Sequence, residues 1–114
     1  MTPQEINKKI AEWLGHECAE IHIVKEGFVL GLIPSYYNSN SAFDLLDVLV
    51  ERGYDPTLEH DLGGWDLCIY KPNKNGWDLI THCIPNNKSK SAAICEAVIA
   101  LIEEESVIPN SSEA

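Results

Sequence analysis

Apolar residues near the start of the chain recur at helical spacing. Ile6, Ile10, Trp13 and Leu14 fall on one face of a first helix. Thr2 is its expected N-cap, Pro3 suits the first helical position, and Glu5 completes a Thr-x-x-Glu capping box. Gly15 supplies a left-handed stop. Ile21–Val24 and Phe28–Ile33 then read as strands. Lys25-Glu26-Gly27 either turns them into a hairpin or carries an irregular crossing. Pro34 ends the run, and Ser35 to Asn40 form a polar, aromatic loop.

A second helix is expected from about Ser41, with Asp44 as the other half of a capping box. Ala42, Leu45, Leu46 and Leu49 make its apolar face, joined by Phe43 and Val50, and Gly53 ends it. A three-stranded meander follows: Tyr54–His60, Trp65–Tyr70 with its strict alternation, and Trp77–Ile84. Asp61 to Gly64 turn the first pair. In the loop from Pro72 to Gly76, the Asn75-Gly76 end suits a hairpin. Connections this short make the strands antiparallel. The last helix is expected over Ser91–Glu104. Only Glu96 interrupts ten apolar positions between Ala92 and Ile102, so it is buried on more than one side. Glu103-Glu104-Glu105 oppose the helix dipole and read as a fraying end, and 106–114 as a disordered tail. The expectation is one α+β domain over 1–105, with a three- to four-stranded antiparallel sheet packed between helices.

Composition narrows the function classes. At 114 residues, 45% of them hydrophobic, the chain can form a core without a metal or disulfide staple. Eighteen acidic residues against eight basic ones leave a net charge of −10. That balance opposes direct nucleic-acid binding, which needs a Lys/Arg footprint, and opposes attraction to anionic membranes. It serves solubility, or else a face for a basic partner. No stretch reads as a signal peptide or a membrane span, so a cytoplasmic location is expected. Cys18, Cys68, Cys83 and Cys95 form no Cys-x-x-Cys pair and read as small hydrophobes in a reducing compartment.

Three stretches carry a family resemblance: Ile6-Asn7-Lys8-Lys9-Ile10-Ala11-Glu12-Trp13-Leu14-Gly15, Pro34 to Ser41, and Ser91-Ala92-Ala93-Ile94-Cys95-Glu96-Ala97. They resemble the opening helix, the Pro-x-Tyr-Ser-type entry to the second helix, and the Ala-Ile-Cys-x-Ala helix of the phage α/β/α-sandwich domain family. Residues 16–33 fit that pattern less well. The resemblance implies a small sheet between helices and a phage or prophage setting in a host bacterial cell. It implies no catalytic residues.

His16, Cys18 and His22 follow no zinc pattern, and His82 and Cys83 are neighbours that a strand points to opposite sides. Neither a metal site nor a Cys/His enzyme is expected. No P-loop, dinucleotide fingerprint or Gly-x-Ser-x-Gly is present. No cofactor and no enzyme activity follow from the sequence.

Two expected helix starts are richer. Ser39, Asn40 and Ser41, and Lys88, Ser89, Lys90 and Ser91 after Asn86-Asn87, offer small hydrogen-bonding groups where helix N–H groups attract anions. Tyr36, Tyr37 and Trp77 or Trp65 can stack a ring. The plain alternative is capping with solubilising lysines. The expected function is a non-catalytic phage accessory or counter-defence protein that works by binding a small phosphorylated or nucleotide ligand. The alternative is an acidic inhibitor of a host protein by protein contact or nucleic-acid mimicry. It would gather Asp44, Asp47, Glu51, Asp55, Glu59 and Asp61 on one face. A homo-oligomer is compatible with either.

Overall fold

A computed structural model describes residues 1–37, 39–61, 63–82 and 89–107 of the chain. Its fold class is α+β, and the described residues hold three α-helices and two separate three-stranded antiparallel sheets, ordered β1-β2-β3 and β4-β5-β6.

Helix α1 spans Pro3–Trp13 and starts as its sequence dictates. The Thr2 hydroxyl accepts from the Glu5 N–H at 3.2 Å, and the Glu5 carboxylate accepts from the Thr2 N–H at 3.3 Å. Gly15, at φ +101°, takes the left-handed position that ends it. Ile6, Ile10 and Ala11 are buried, and Trp13 and Leu14 pack at the core margin.

Residues 16–33 form a meander of their own: β1 (Glu17–Ala19), β2 (His22–Lys25) and β3 (Phe28–Leu32). The Lys25-Glu26-Gly27 hairpin forms. Glu26 and Gly27 both take positive φ, 53° and 85°, between the paired Lys25 and Phe28, the combination that two-residue hairpins favour. The strand β1 is an addition to the expected pair, and among the described residues this sheet pairs with no strand of the other.

The expected cap at Ser41 is corrected. A 3₁₀ turn over Asn40–Phe43 comes first, capped by Ser39, whose hydroxyl accepts from the Ser41 N–H at 3.0 Å. Helix α2 (Asp44–Glu51) follows without a side-chain cap. Ala42, Leu45 and Leu49 face the core as expected, but Phe43 and Val50 are exposed.

The second meander comprises β4 (Asp55–Asp61), β5 (Gly64–Asn73) and β6 (Gly76–His82). Asn73 pairs with Gly76, which closes the expected Asn-Gly hairpin. The expected end of its third strand, Cys83-Ile84, lies outside the described residues.

Helix α3 (Lys90–Val107) lies against β5 and β6, with α1 and the 3₁₀ turn packed on it. Ile94, Cys95, Val98 and Leu101 of α3 meet Leu67 and Ile69 of β5, Ile10 of α1 and Leu45 and Leu49 of α2, all essentially without exposed surface. Fully burying one such Leu or Ile stabilises the fold by roughly 1.5–3 kcal/mol.

The expected fraying at Glu103–Glu105 is also corrected. The helix continues to Val107, and Glu105 accepts from the Trp13 indole N–H at 3.2 Å and the Tyr54 hydroxyl at 2.8 Å. Arg52 completes this clasp: its guanidinium donates to the Trp13 carbonyl at 2.8 Å and stacks 4.1 Å over the indole. The remainder of the expected tail, 108–114, lies outside the described residues. Among the described residues, no helix is long and apolar enough to cross a membrane.

Candidate functional site

The α3 start holds part of the expected ligand cluster. The Ser89 hydroxyl accepts from the Ala92 N–H at 3.1 Å and sits 3.3 Å from the Ser91 hydroxyl, so these serines serve the helix cap. Lys90 is exposed and lays its ammonium 4.7 Å over the Trp65 ring. Trp65 in turn meets His60 across the β4–β5 pair, with ring centroids 4.7 Å apart. Lys88 lies outside the described residues.

The remaining expected residues are spread out. Tyr36 is buried in the core. Its backbone N–H and that of Tyr37 both donate to the Asn7 side-chain oxygen, at 2.9 and 3.0 Å. Burial, ahead of the neighbouring Cys18 and Asp44, pushes the Tyr36 hydroxyl above its ordinary range. Tyr37 is half-buried, and burial followed by Glu96 raises its hydroxyl too. Ser39 is occupied in capping the 3₁₀ turn, Ser41 is half-buried, and Asn40 is exposed. Trp77, 60% exposed, pairs with Pro72 at the far end of β5. Seven strand positions, roughly 20 Å, separate Pro72 from Trp65. The aromatic partner of Lys90 is therefore Trp65, and Trp77 belongs to another region.

The acidic residues also divide. Asp44, Asp47 and Glu51 are exposed on α2, and Asp55 and Glu59 on β4.

Among the described residues, His16, Cys18 and His22 are not brought within ligating distance of one another. One group is: Glu59, Asp66 and Cys68, whose donor atoms all lie within 4.8 Å. The strands explain it. Glu59 is the cross-strand partner of Asp66, and alternation puts Cys68 on the same face as Asp66, opposite Leu67 and Ile69. The Cys68 thiol donates to Asp66 Oδ2 at 3.6 Å. Burial first, then the Asp66 charge, pushes that thiol above its ordinary range. Asp66 Oδ1 is buried with no hydrogen-bond partner among the described residues, an arrangement that costs about 1–3 kcal/mol or more for a charged group. Sequence reading missed this group. Its signal is symmetry: Glu59 and Asp66 stand equally far from the β4–β5 turn, and Asp-x-Cys shares a strand face.

The most conspicuous surface lies elsewhere. Phe28, Val29, Leu30 and Leu32 of β3 are 73, 63, 64 and 65% exposed, and Ile21 is 53% exposed. β3 is an edge strand, and none of its five residues is charged. A cleft of about 570 Å³ between α1 and this sheet is lined by Thr2, Glu5, Lys8, Glu20, Ile21 and Leu32, among others.

No family model matches the chain, and neither does any curated protein. A solved structure does: the 2.0 Å crystal structure of a phage protein from Bacillus cereus ATCC 14579. It shares the fold with a TM-score of 0.68 and 24% identity, over 90% of this chain and 89% of that one.

Proposed function

We propose that the protein is a non-catalytic accessory protein of a phage setting that works by binding another polypeptide through the β1–β3 sheet. The observation that carries this reading is the exposed, uncharged edge strand β3. Soluble proteins protect such edges with lysines, prolines or bulges inside the strand. Here β3 bulges once, at Leu30 between the paired Val29 and Gly31, but it holds no lysine or proline, and the charges of Lys25 and Glu26 stand outside it. Phe28 leaves about 150 Å² in water and each exposed aliphatic neighbour roughly 100 Å². The patch is then of the size that marks a contact surface.

The occupant is a polypeptide strand added to the free edge of β3, and a second copy of this chain supplies one. Two uncharged strands pair across a two-fold axis without bringing like charges face to face, which matters for a protomer of net charge −10. The phage setting rests on the Bacillus cereus fold neighbour and on the motif resemblance, and the host cytoplasm goes with it.

Native mass spectrometry of the purified protein tests the reading. A dimer that Leu30→Lys converts to a folded monomer is the expected result. A wild-type monomer overturns self-pairing. It turns the search to a host partner, and the acidic inhibitor reading then gains weight.

A second reading keeps the small phosphorylated ligand, nucleotides included. It is favoured by Lys90 over Trp65 at the α3 start, where a cation and a ring stand together. The same mass spectra address it. A retained nucleotide-sized mass that Lys90→Ala removes supports sequestration, and a clean apo mass opposes it.

A further inference from the structure

We propose that Glu59, Asp66 and Cys68 form a binding site for one divalent cation of borderline softness, with zinc as the first choice. Two independent observations meet here. The first is donor geometry: a carboxylate from β4 and a carboxylate and a sulfur from β5 converge with all donor atoms within 4.8 Å. The second is the orphaned oxygen. Asp66 is only 8% exposed, and its Oδ1 has no hydrogen-bond partner among the described residues. Buried carboxylate oxygens are otherwise hydrogen-bonded or coordinate a metal.

The spacing suits zinc. Tetrahedral bond lengths of about 2.3 Å to sulfur and 2.0 Å to oxygen place those two donors about 3.5 Å apart. Cys68 Sγ and Asp66 Oδ2 stand 3.6 Å apart. Cys68 and Asp66 are buried on a rigid central strand, whereas Glu59 is exposed and free to swing its carboxylate onto the ion. The exposed side also gives the ion its way in. One sulfur among oxygens selects against magnesium and calcium, which take all-oxygen shells.

Charge points the same way. Two carboxylates face each other with no cation paired to Asp66 among the described residues. On binding, the zinc aquo ion sheds all of its waters but one as the three side chains enter and the shell contracts to four ligands. The Cys68 thiol releases its proton to solvent, and the thiolate forms the zinc–sulfur bond. The cluster becomes less negative by one charge. Three protein donors leave the fourth position to water.

The test titrates the metal-free full chain with Co²⁺ alone and then displaces it with Zn²⁺. Thiolate ligation gives a sulfur-to-cobalt charge-transfer band, and tetrahedral geometry gives intense visible bands. One equivalent should produce both. They should persist in Cys18→Ser, vanish in Cys68→Ser, and need at least about tenfold more metal in Glu59→Gln or Asp66→Asn. Glu59 is exposed, so Glu59→Gln keeps the protein folded and decides the matter even where Asp66→Asn does not fold. No charge-transfer band in folded wild-type protein, a band that survives Cys68→Ser, or an unchanged titration in Glu59→Gln overturns the site.

Discussion

β3 and β5 are both strands with apolar middles, yet they meet opposite surroundings. Leu67 and Ile69 of β5 have no exposed surface, because β4 and β6 flank the strand and α3 covers one face. Phe28 to Leu32 of β3 sit at the edge of their sheet, with every residue exposed. Apolar content alone therefore says nothing about burial. Burial requires a covering element, and among the described residues β5 has one and β3 does not. In β5, apolar residues create stability. In β3 they create a surface whose value lies in what it contacts.

This contrast can be broken from either side. The largest effect belongs to the covered half. Leu49→Ala, at a position with no exposed surface, should cost about 2–5 kcal/mol in urea unfolding. A smaller loss would mean that the core collapses around the gap. Asn7→Ala comes next. It strips the acceptor from two backbone N–H groups, those of Tyr36 and Tyr37, and should cost about 1–3 kcal/mol by the same measurement.

The clasp at Glu105 predicts a pH response. Burial first, then the Glu105 hydrogen bond and charge, push the Tyr54 hydroxyl from 10.0 up to about 12. A group whose pKa is raised by folding lends stability below its unfolded value. That stability is lost as pH climbs through the folded value. Thermal melts should therefore weaken between about pH 10 and 12, and Tyr54→Phe should flatten the decline in that window. The smallest stability effect belongs to the uncovered half. Leu30→Lys should stay within about 0.5 kcal/mol of wild type, even as it abolishes any self-association. Compared at a concentration where wild type is also monomeric, a large loss of stability there would show that β3 is covered within the monomer after all.

The parts of the fold legible in the sequence are those fixed locally. The Thr2/Glu5 box, the Gly15 stop, the Asn75-Gly76 hairpin and the alternation from Trp65 to Tyr70 each depend on residues a few positions apart. So does the nearly uninterrupted apolar run of α3. Elements decided at longer range were missed. β1 is three residues long, Glu-Cys-Ala, and exists because β2 pairs with it. Ser39 outcompetes Ser41 as the cap because the chain enters α2 through a 3₁₀ turn. Glu105 departs from dipole preference because Trp13, 92 positions away, and Tyr54 receive it. The same limit governed the site. Trp77 and Lys90 look close in a list of aromatic and basic residues, but strand pairing sets them at opposite ends of β5. The Glu59–Asp66–Cys68 group emerges only once the β4–β5 register is known.

The position of α3 in the chain also has a meaning in time. Ile94, Val98 and Leu101 supply the centre of the core, and Glu105 ties the helix to residues near the start. During synthesis, everything N-terminal to α3 leaves the ribosome before its cover exists. At about 5–20 residues per second, the apolar faces of α1 and β5 wait seconds for the helix that will hide them. Only when the last turns of α3 emerge can the covered half close. In that interval, the molecule's two halves are equally exposed.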